Sequence, residues 1–325
     1  MSGTGEDGPL LGPDRVVRNP DPPNAELTLH LQEGLLTPND RFYVRSNFPV
    51  PVRWPGLAVA GLVEHPADDL DLEPFERRRL VVTLECAGNG RAYLDPPAPG
   101  EQWELGAVST AEWSGVPLAA VLEVAGLRPC VVEVVFEGAD GYAGSLPLET
   151  ALHPDTLLVL EMNGRPLPRV HGGPLRLLVP RWYGMASVKW LTRVAPAGEP
   201  FRGHFQSETY VIEGRHVREM EVRAVVTRAR PGRARGYART GRGSIVRVEL
   251  SADGGQSFFD ARLTASAPPY GWTGWEADWS AQGSAGEVVI VRASDSEGRE
   301  QPLEQRWNEL GYANNQARPV TTEGA

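Results

Sequence analysis

One cysteine stands where a strand ends. The run LVVTLE (80–85) reads as a buried strand, and CAGNGR (86–91) follows it directly. Gly88 and Gly90 in that loop would let a ligand approach the backbone closely, and strand ends are where sites tend to be built. A thiolate at Cys86 would serve as a metal ligand or as a nucleophile. The same residue would equally suit a small buried hydrophobe. Zinc is disfavoured, because no second cysteine and no His/Cys cluster has suitable spacing. A cysteine hydrolase would need a histidine and an orienting group, and the sequence alone nominates neither. The other cysteine, Cys130, lies in an unrelated setting, and two cysteines make no disulfide framework.

The cations carry a second signal. Lys and Arg together number 32, yet Lys189 is the only lysine. Such a composition invites a chemical reason at that one position, with chance as the plain alternative. A net charge of −10 argues against nucleic acid as the main partner. No apolar run approaches the roughly 18–20 residues of a membrane helix. The N-terminus shows neither a basic region followed by an apolar stretch nor a twin-arginine signal, so a cytoplasmic location is expected.

The elements that must position these residues fall into two textures. Residues 1–25, rich in Gly, Pro, Asp and Asn, read as a flexible tail, with an irregular packed arm as the alternative. The region 26–215 mixes strands and helices: a helix over 116–126 stopped by Gly126, a strand over 131–138, and a short helix over 146–152. A strand over 156–164 then runs into an Asn-Gly turn, and further strands follow at 175–180 and 187–194. That is an α+β pattern. Beyond 215, alternating runs at 244–255, 276–281 and 287–298 are separated by Gly-, Asp- and Ser-rich turns, and no helix is expected there. This predicts an all-β sandwich over 216–325.

CAGNGR and FYVRSNFPVP (42–51) resemble segments of the sulfite oxidase family of molybdenum enzymes. The likeness continues in order through GAVSTAEWSG (106–115), GYAGSLPLE (141–149), LEMNGRPLPRVHGGPLRLLVP (160–180) and YGMASVKWL (183–191). It ends with VELSADGGQSF (248–258) and WNELGY (307–312). The resemblance implies a molybdopterin-binding α+β domain followed by an immunoglobulin-like domain that makes a homodimer. It also implies a molybdenum–molybdopterin cofactor, one pterin per chain, with Cys86 giving the single protein thiolate. Soft thiolate ligation suits a metal that cycles between oxidation states. Arg45, Asn47 and Arg91 fall at the substrate or cofactor pocket, and guanidinium forks suit oxyanions. Tyr142 matches a tyrosine that hydrogen-bonds substrate. His171, Arg176, Ser187 and Lys189 match segments that hold the pterin and its phosphate, so the sole lysine falls inside a phosphate-anchoring motif.

Three positions depart from the family pattern. Asn47 stands where many members carry a histidine, Gly90 where animal members carry an additional arginine, and Leu310 where animal and plant members carry an arginine from the second domain. A compensating arginine from the dense run between Arg215 and Arg247 is one reading of that run; a solvated basic face is the other. No CxxCH motif is present and no haem is expected, so electrons would leave to an external acceptor such as a c-type cytochrome. The expected reaction is oxidation of sulfite to sulfate by oxygen-atom transfer. The alternatives are another molybdenum-dependent reaction, on nitrate, a sulfoxide or other oxyanion, and a cofactor-free anion-binding protein on the same scaffold.

Overall fold

The computed structural model describes residues 11–12, 14–264, 268–280 and 287–322. Residues 1–10 of the expected tail, Ala281 of the expected strand at 276–281, and residues 323–325 lie outside the described residues.

Two sheets build the first region. In one, the strands Arg176–Leu178, Leu157–Met162, Val108–Pro117 and Arg78–Glu85 lie side by side, all antiparallel, and Arg165–Pro166 pairs on Leu157–Met162. In the other, the order is Ala58–Val59, Leu191–Ala197, Glu133–Gly138, Ala143–Pro147. The helix Leu118–Ala125 packs Leu118, Val121, Leu122 and Ala125 inward and stops where Gly126 turns left-handed at φ 70°. Asn163 and Gly164 take φ 52° and 70°, as an Asn-Gly hairpin turn requires. The helix expected over 146–152 is confined to Leu148–Ala151, because the chain through Pro147 is claimed by pairing with Glu133–Gly138.

The expected strand at 187–194 is shorter at its start. The chain is irregular through Ser187–Trp190, with Trp190 at φ 49°, and the strand begins at Leu191. Through Ser187–Trp190 the chain is held by burial against the core and not by strand pairing. Trp190 is almost wholly buried, and its indole donates to the Arg169 carbonyl at 2.8 Å. Burying one such aromatic is worth about 2–3 kcal/mol.

The tail expectation is corrected for its described part. Arg15–Asn19 and Asn24–Leu27 form an antiparallel hairpin, and Asn24, Ala25, Glu26 and Leu27 are buried. Composition missed this because its contacts are non-local. Glu26 accepts from the backbone N–H groups of Glu104 (2.9 Å) and Gly106 (2.8 Å), and Ala25 bridges Val44.

Two four-stranded antiparallel sheets follow, Arg223–Arg230, Arg233–Arg239, Thr273–Asp278, Arg262–Leu263 and Phe259–Asp260, Ile245–Ser251, Val288–Asp295, Pro319–Thr321. Alternate residues Ala224, Val226, Ala234 and Trp275 of one meet Val248, Leu250, Val289 and Val291 of the other in a separate core. Among the described residues, no helix in either region is long and apolar enough to cross a membrane.

Gly106 fixes how the N-terminal hairpin sits. A Cβ there would lie 1.7 Å from the Leu27 carbonyl oxygen. Gly106→Ala should therefore destabilise the chain by about 1–3 kcal/mol in urea unfolding; an unchanged midpoint would mean that the hairpin is not packed this way.

Candidate active site

The ends of the two first-region sheets and the loops between them enclose one cavity. Cys86, Arg45, Asn47, Tyr142, His171, Arg176, Ser187 and Lys189 all line it, although they come from segments far apart in sequence. Cys86 is placed by its own backbone. Its N–H donates to the Ala107 carbonyl at 2.9 Å, and its carbonyl accepts from Asn89 at 2.9 Å to turn the chain away from the strand. The thiol is buried, which pushes its pKa up; the positive charge of Arg45, the Gly88 N–H and Arg91 oppose that push.

Three cations line the cavity with the thiol, Arg176 buried and Arg45 and Lys189 half-buried. Arg45 is braced by Asn24 Oδ1 at 3.2 Å, Asn47 Oδ1 at 2.6 Å and the Ser46 carbonyl. Arg176 donates to the carbonyls of His171 (2.9 Å) and Ser187 (3.0 Å), and burial lowers its pKa to about 10. Lys189 Nζ donates to Ser46 Oγ at 2.7 Å and to the Val170 carbonyl at 3.2 Å, and it sits 4.1 Å from the centre of the Trp190 ring. Among the described residues none of the three forms an ion pair. Burial, reinforced by Arg176, holds the Lys189 pKa well below the ordinary lysine value. Asp140 is the one carboxylate in the lining, and burial raises its pKa. The walls therefore carry a surplus of desolvated positive charge. Such charge is costly to keep from water, and a bound anion would relieve it.

The remaining side chains act as neutral donors and braces. Tyr142 donates to the Met185 carbonyl at 3.0 Å and packs its ring 4.5 Å from Phe205; burial keeps the phenol protonated. The His171 ring donates from Nε2 to the Asn39 carbonyl at 2.9 Å, and burial depresses its pKa so that the imidazole is neutral. Ser187 Oγ accepts from the Val179 N–H at 3.0 Å.

Arg91 is the exception among the expected site residues. It does not line the cavity: its guanidinium donates to the Leu310 carbonyl (2.9 and 3.2 Å) and to the Glu101 carbonyl at 3.0 Å, and it lies 4.9 Å from the centre of the Tyr312 ring. Its charge still reaches Cys86, but its donors are spent on backbone. Leu310 thus acts through its carbonyl, a group that a sequence motif does not display. Tyr210 was not anticipated either. It lines the cavity and takes a hydrogen bond from Asn47 Nδ2 at 3.3 Å, from a connecting segment that carries no motif. Asp140, two residues before Tyr142, accepts the Tyr142 N–H at 3.1 Å, a contact that the DGY segment displays in sequence.

The arginine run divides in two. Arg223 and Arg239 are buried and point at the Cys86 loop, whereas Arg228, Arg230, Arg233, Arg235 and Arg242 are exposed. None of them enters the cavity lining. Gly90 has φ 86°, and a Cβ there would lie 3.2 Å from the Arg223 guanidinium and 3.3 Å from the Asn314 carbonyl. The second domain thus occupies the direction a side chain at position 90 would take.

Comparison with known proteins agrees with this geometry. Residues 47–205 match the oxidoreductase molybdopterin binding domain, and residues 204–321 match the Mo-co oxidoreductase dimerisation domain. The sulfite oxidase of Gallus gallus is 35% identical over 340 residues, covering 90% of this chain and 73% of that one. The chain belongs to the sulfite oxidase family. The mitochondrial sulfite oxidase of Mus musculus is 32% identical over 357 residues, and the alignment takes in 95% of this chain and 65% of the mouse protein. The chain thus spans somewhat less than two thirds of that relative's length. The sulfane dehydrogenase SoxCD from Paracoccus pantotrophus superposes with a TM-score of 0.85 at 29% identity, covering 94% of this chain and 87% of that one. Family membership makes this an oxidoreductase fold built for a molybdopterin group. The donor set fits such a group: among the described residues no cluster of three or more His, Cys, Asp or Glu could hold a bare metal ion. A single thiol in a cavity lined by three cations suits a metal that arrives with its other ligands attached.

Two outcomes follow from the desolvated charges. Lys189→Met should raise the thermal midpoint of the cofactor-free chain by about 2 °C, since it removes an amine whose charged form desolvation penalises. The same change should cut molybdenum content about 10-fold; a variant that keeps its molybdenum would remove Lys189 from the site. The second outcome concerns acid. His171 is held well below its ordinary value and His216 is lowered to about 4, both first by burial. The unfolded chain takes up the protons that the fold refuses, so stability should fall as pH drops below about 6.5. A flat midpoint between pH 7 and 5 would contradict this.

Proposed function

We propose that the chain oxidises sulfite to sulfate with a molybdenum–molybdopterin group and passes the electrons to an external acceptor. The observation that carries this reading is the placement of Cys86. It is the one thiol of the cavity, and Arg45, Arg176 and Lys189 surround it without ion-pair partners among the described residues. When bound, the molybdenum group supplies two-electron oxygen-atom transfer.

The chain's own residues do the rest. Cys86 would give the protein's ligand to the metal. Lys189, Arg176, Ser187 and His171 form the side of the cavity that would hold the pterin and its phosphate, with the two cations compensating charge. Arg45, fixed in one orientation by Asn24 and Asn47, would face the substrate oxygens. Tyr142, protonated and buried, would donate a hydrogen bond there and hold a proton at its phenol oxygen. Phe205 and Tyr210 wall off water beside it.

A c-type cytochrome or another soluble carrier is the kind of acceptor this chemistry calls for. The two-sheet domain reads as immunoglobulin-like and as the surface through which two copies associate, in keeping with its match to a dimerisation domain.

One observation favours a second reading. Arg91 is tied to Leu310 and Asn47 is spent on Arg45, so the cavity offers fewer free charged donors than a dianion would exploit. That would suit nitrate or a sulfoxide. The deciding experiment is sulfite-dependent reduction of ferricyanide, expressed per molybdenum. Saturable turnover that Cys86→Ser abolishes while the circular dichroism is kept supports sulfite oxidation. No turnover from a fully loaded site rejects sulfite and moves the assignment to the second reading.

A further inference from the structure

The residue before Cys86 is a buried glutamate. Glu85 closes the strand Arg78–Glu85 with its side chain only 2% exposed, and among the described residues no first-domain cation forms an ion pair with it. Its cationic partners come from across the domain boundary. Arg239 makes a close ion pair with Glu85 Oε1, Arg223 Nη1 lies 3.6 Å from the same oxygen, and Asn89 Nδ2 donates to it at 2.9 Å. The two guanidinium side chains are 3% and 4% exposed.

The register of the second domain explains why this matters. Arg223 and Arg239 sit directly opposite each other on neighbouring antiparallel strands. Like charges in that position repel, and here both are out of water. Within the described residues, Glu85 is the only carboxylate that meets either of them. The rest of the Cys86 loop is held from the same side. Arg223 Nη2 donates to the Asn89 carbonyl at 3.3 Å, Asn314 Nδ2 to the Gly90 carbonyl at 2.8 Å, and the Ala313 N–H to the Ala87 carbonyl at 2.8 Å.

We propose that Glu85, Arg223 and Arg239 are positioning residues: a buried ion-pair seam through which docking of the second domain sets the placement of the Cys86 thiolate. None of the three lines the cavity, so they act through the loop and not on substrate. The charges are mutually dependent. Without Glu85 the second domain buries two opposed cations, and without the arginines the first domain buries a carboxylate one residue from the metal ligand. The significance of Cys86 rests on the function proposed above, but its placement can be read without the cofactor.

The test uses the full-length chain carrying Cys130→Ser, so that Cys86 is the sole thiol. In the cofactor-free form, the rate of Cys86 alkylation by iodoacetamide is compared for the parent, Glu85→Gln, Arg239→Gln and the double variant. Each single change should accelerate alkylation about 10-fold with the circular dichroism retained. The double variant should change by much less than the product of the two, because each removes the group that strands the other. In molybdenum-loaded protein the same single variants should lower kcat and leave KM unchanged, and Arg239→Lys should restore much of the loss. Parent-like alkylation in folded single variants, or purely multiplicative effects, would overturn the proposal. If Arg239→Gln does not fold, Arg223→Gln breaks the longer contact and carries the same comparison. A parent chain that binds no molybdenum would sink the functional reading alone, since the alkylation cycle does not depend on it.

Discussion

Desolvated positive charge is what the rest of this structure has to manage. Arg45, Arg176 and Lys189 line one cavity with one thiol, Arg176 buried and the other two half-buried, and Asp140 is the sole carboxylate in that lining. Desolvating a cation without a partner is costly, and each donates to carbonyl, amide or hydroxyl acceptors that fix its direction without neutralising it. The acceptors come from every part of the first domain. Asn24 belongs to the N-terminal hairpin, Val170 and His171 to the turn before the Arg176 strand, and Ser187 to the irregular loop before Leu191. A binding site of this kind stores unfavourable energy in the free chain and releases it when an anion arrives.

The second domain is part of the site although it gives the cavity no side chain. The backbone carbonyl of Leu310 draws Arg91 away from the cavity, and Asn314, Ala313 and Arg223 hold the carbonyls of the Cys86 loop. Removing one residue from that seam leaves buried polar groups unpaired, a greater loss than the bond itself is worth. The loop is thereby fixed from both sides, by Ala107 in the first domain and by the second domain across the boundary.

Much of this was legible in the order of residues. The strand ending at Cys86, the helix stopped by Gly126 and the Asn-Gly turn at 163–164 follow from local periodicity and backbone preference. Collinear motifs carried the family and, with it, most residues of the cavity. The isolated Lys189 stood out by composition, but it was the SVKW motif of the resemblance that put it with the other site residues, and it lines the cavity.

Tertiary structure decided what depends on contacts between distant segments. The hairpin of residues 15–27 looked like tail by composition, and only pairing with the backbone of residues 44, 104 and 106 makes it structure. Arg91 sits in a motif that suggested a substrate contact, yet a carbonyl more than two hundred residues away takes its donors. Arg223 and Arg239 belonged to a run that read alike along its length. Strand register sorted it, turning two arginines inward onto Glu85 and leaving Arg228, Arg233 and Arg235 in water. A sequence fixes which charges exist and which face of a strand they share. It does not fix what stands opposite that face, and for a buried charge the partner opposite decides whether it binds, braces or repels.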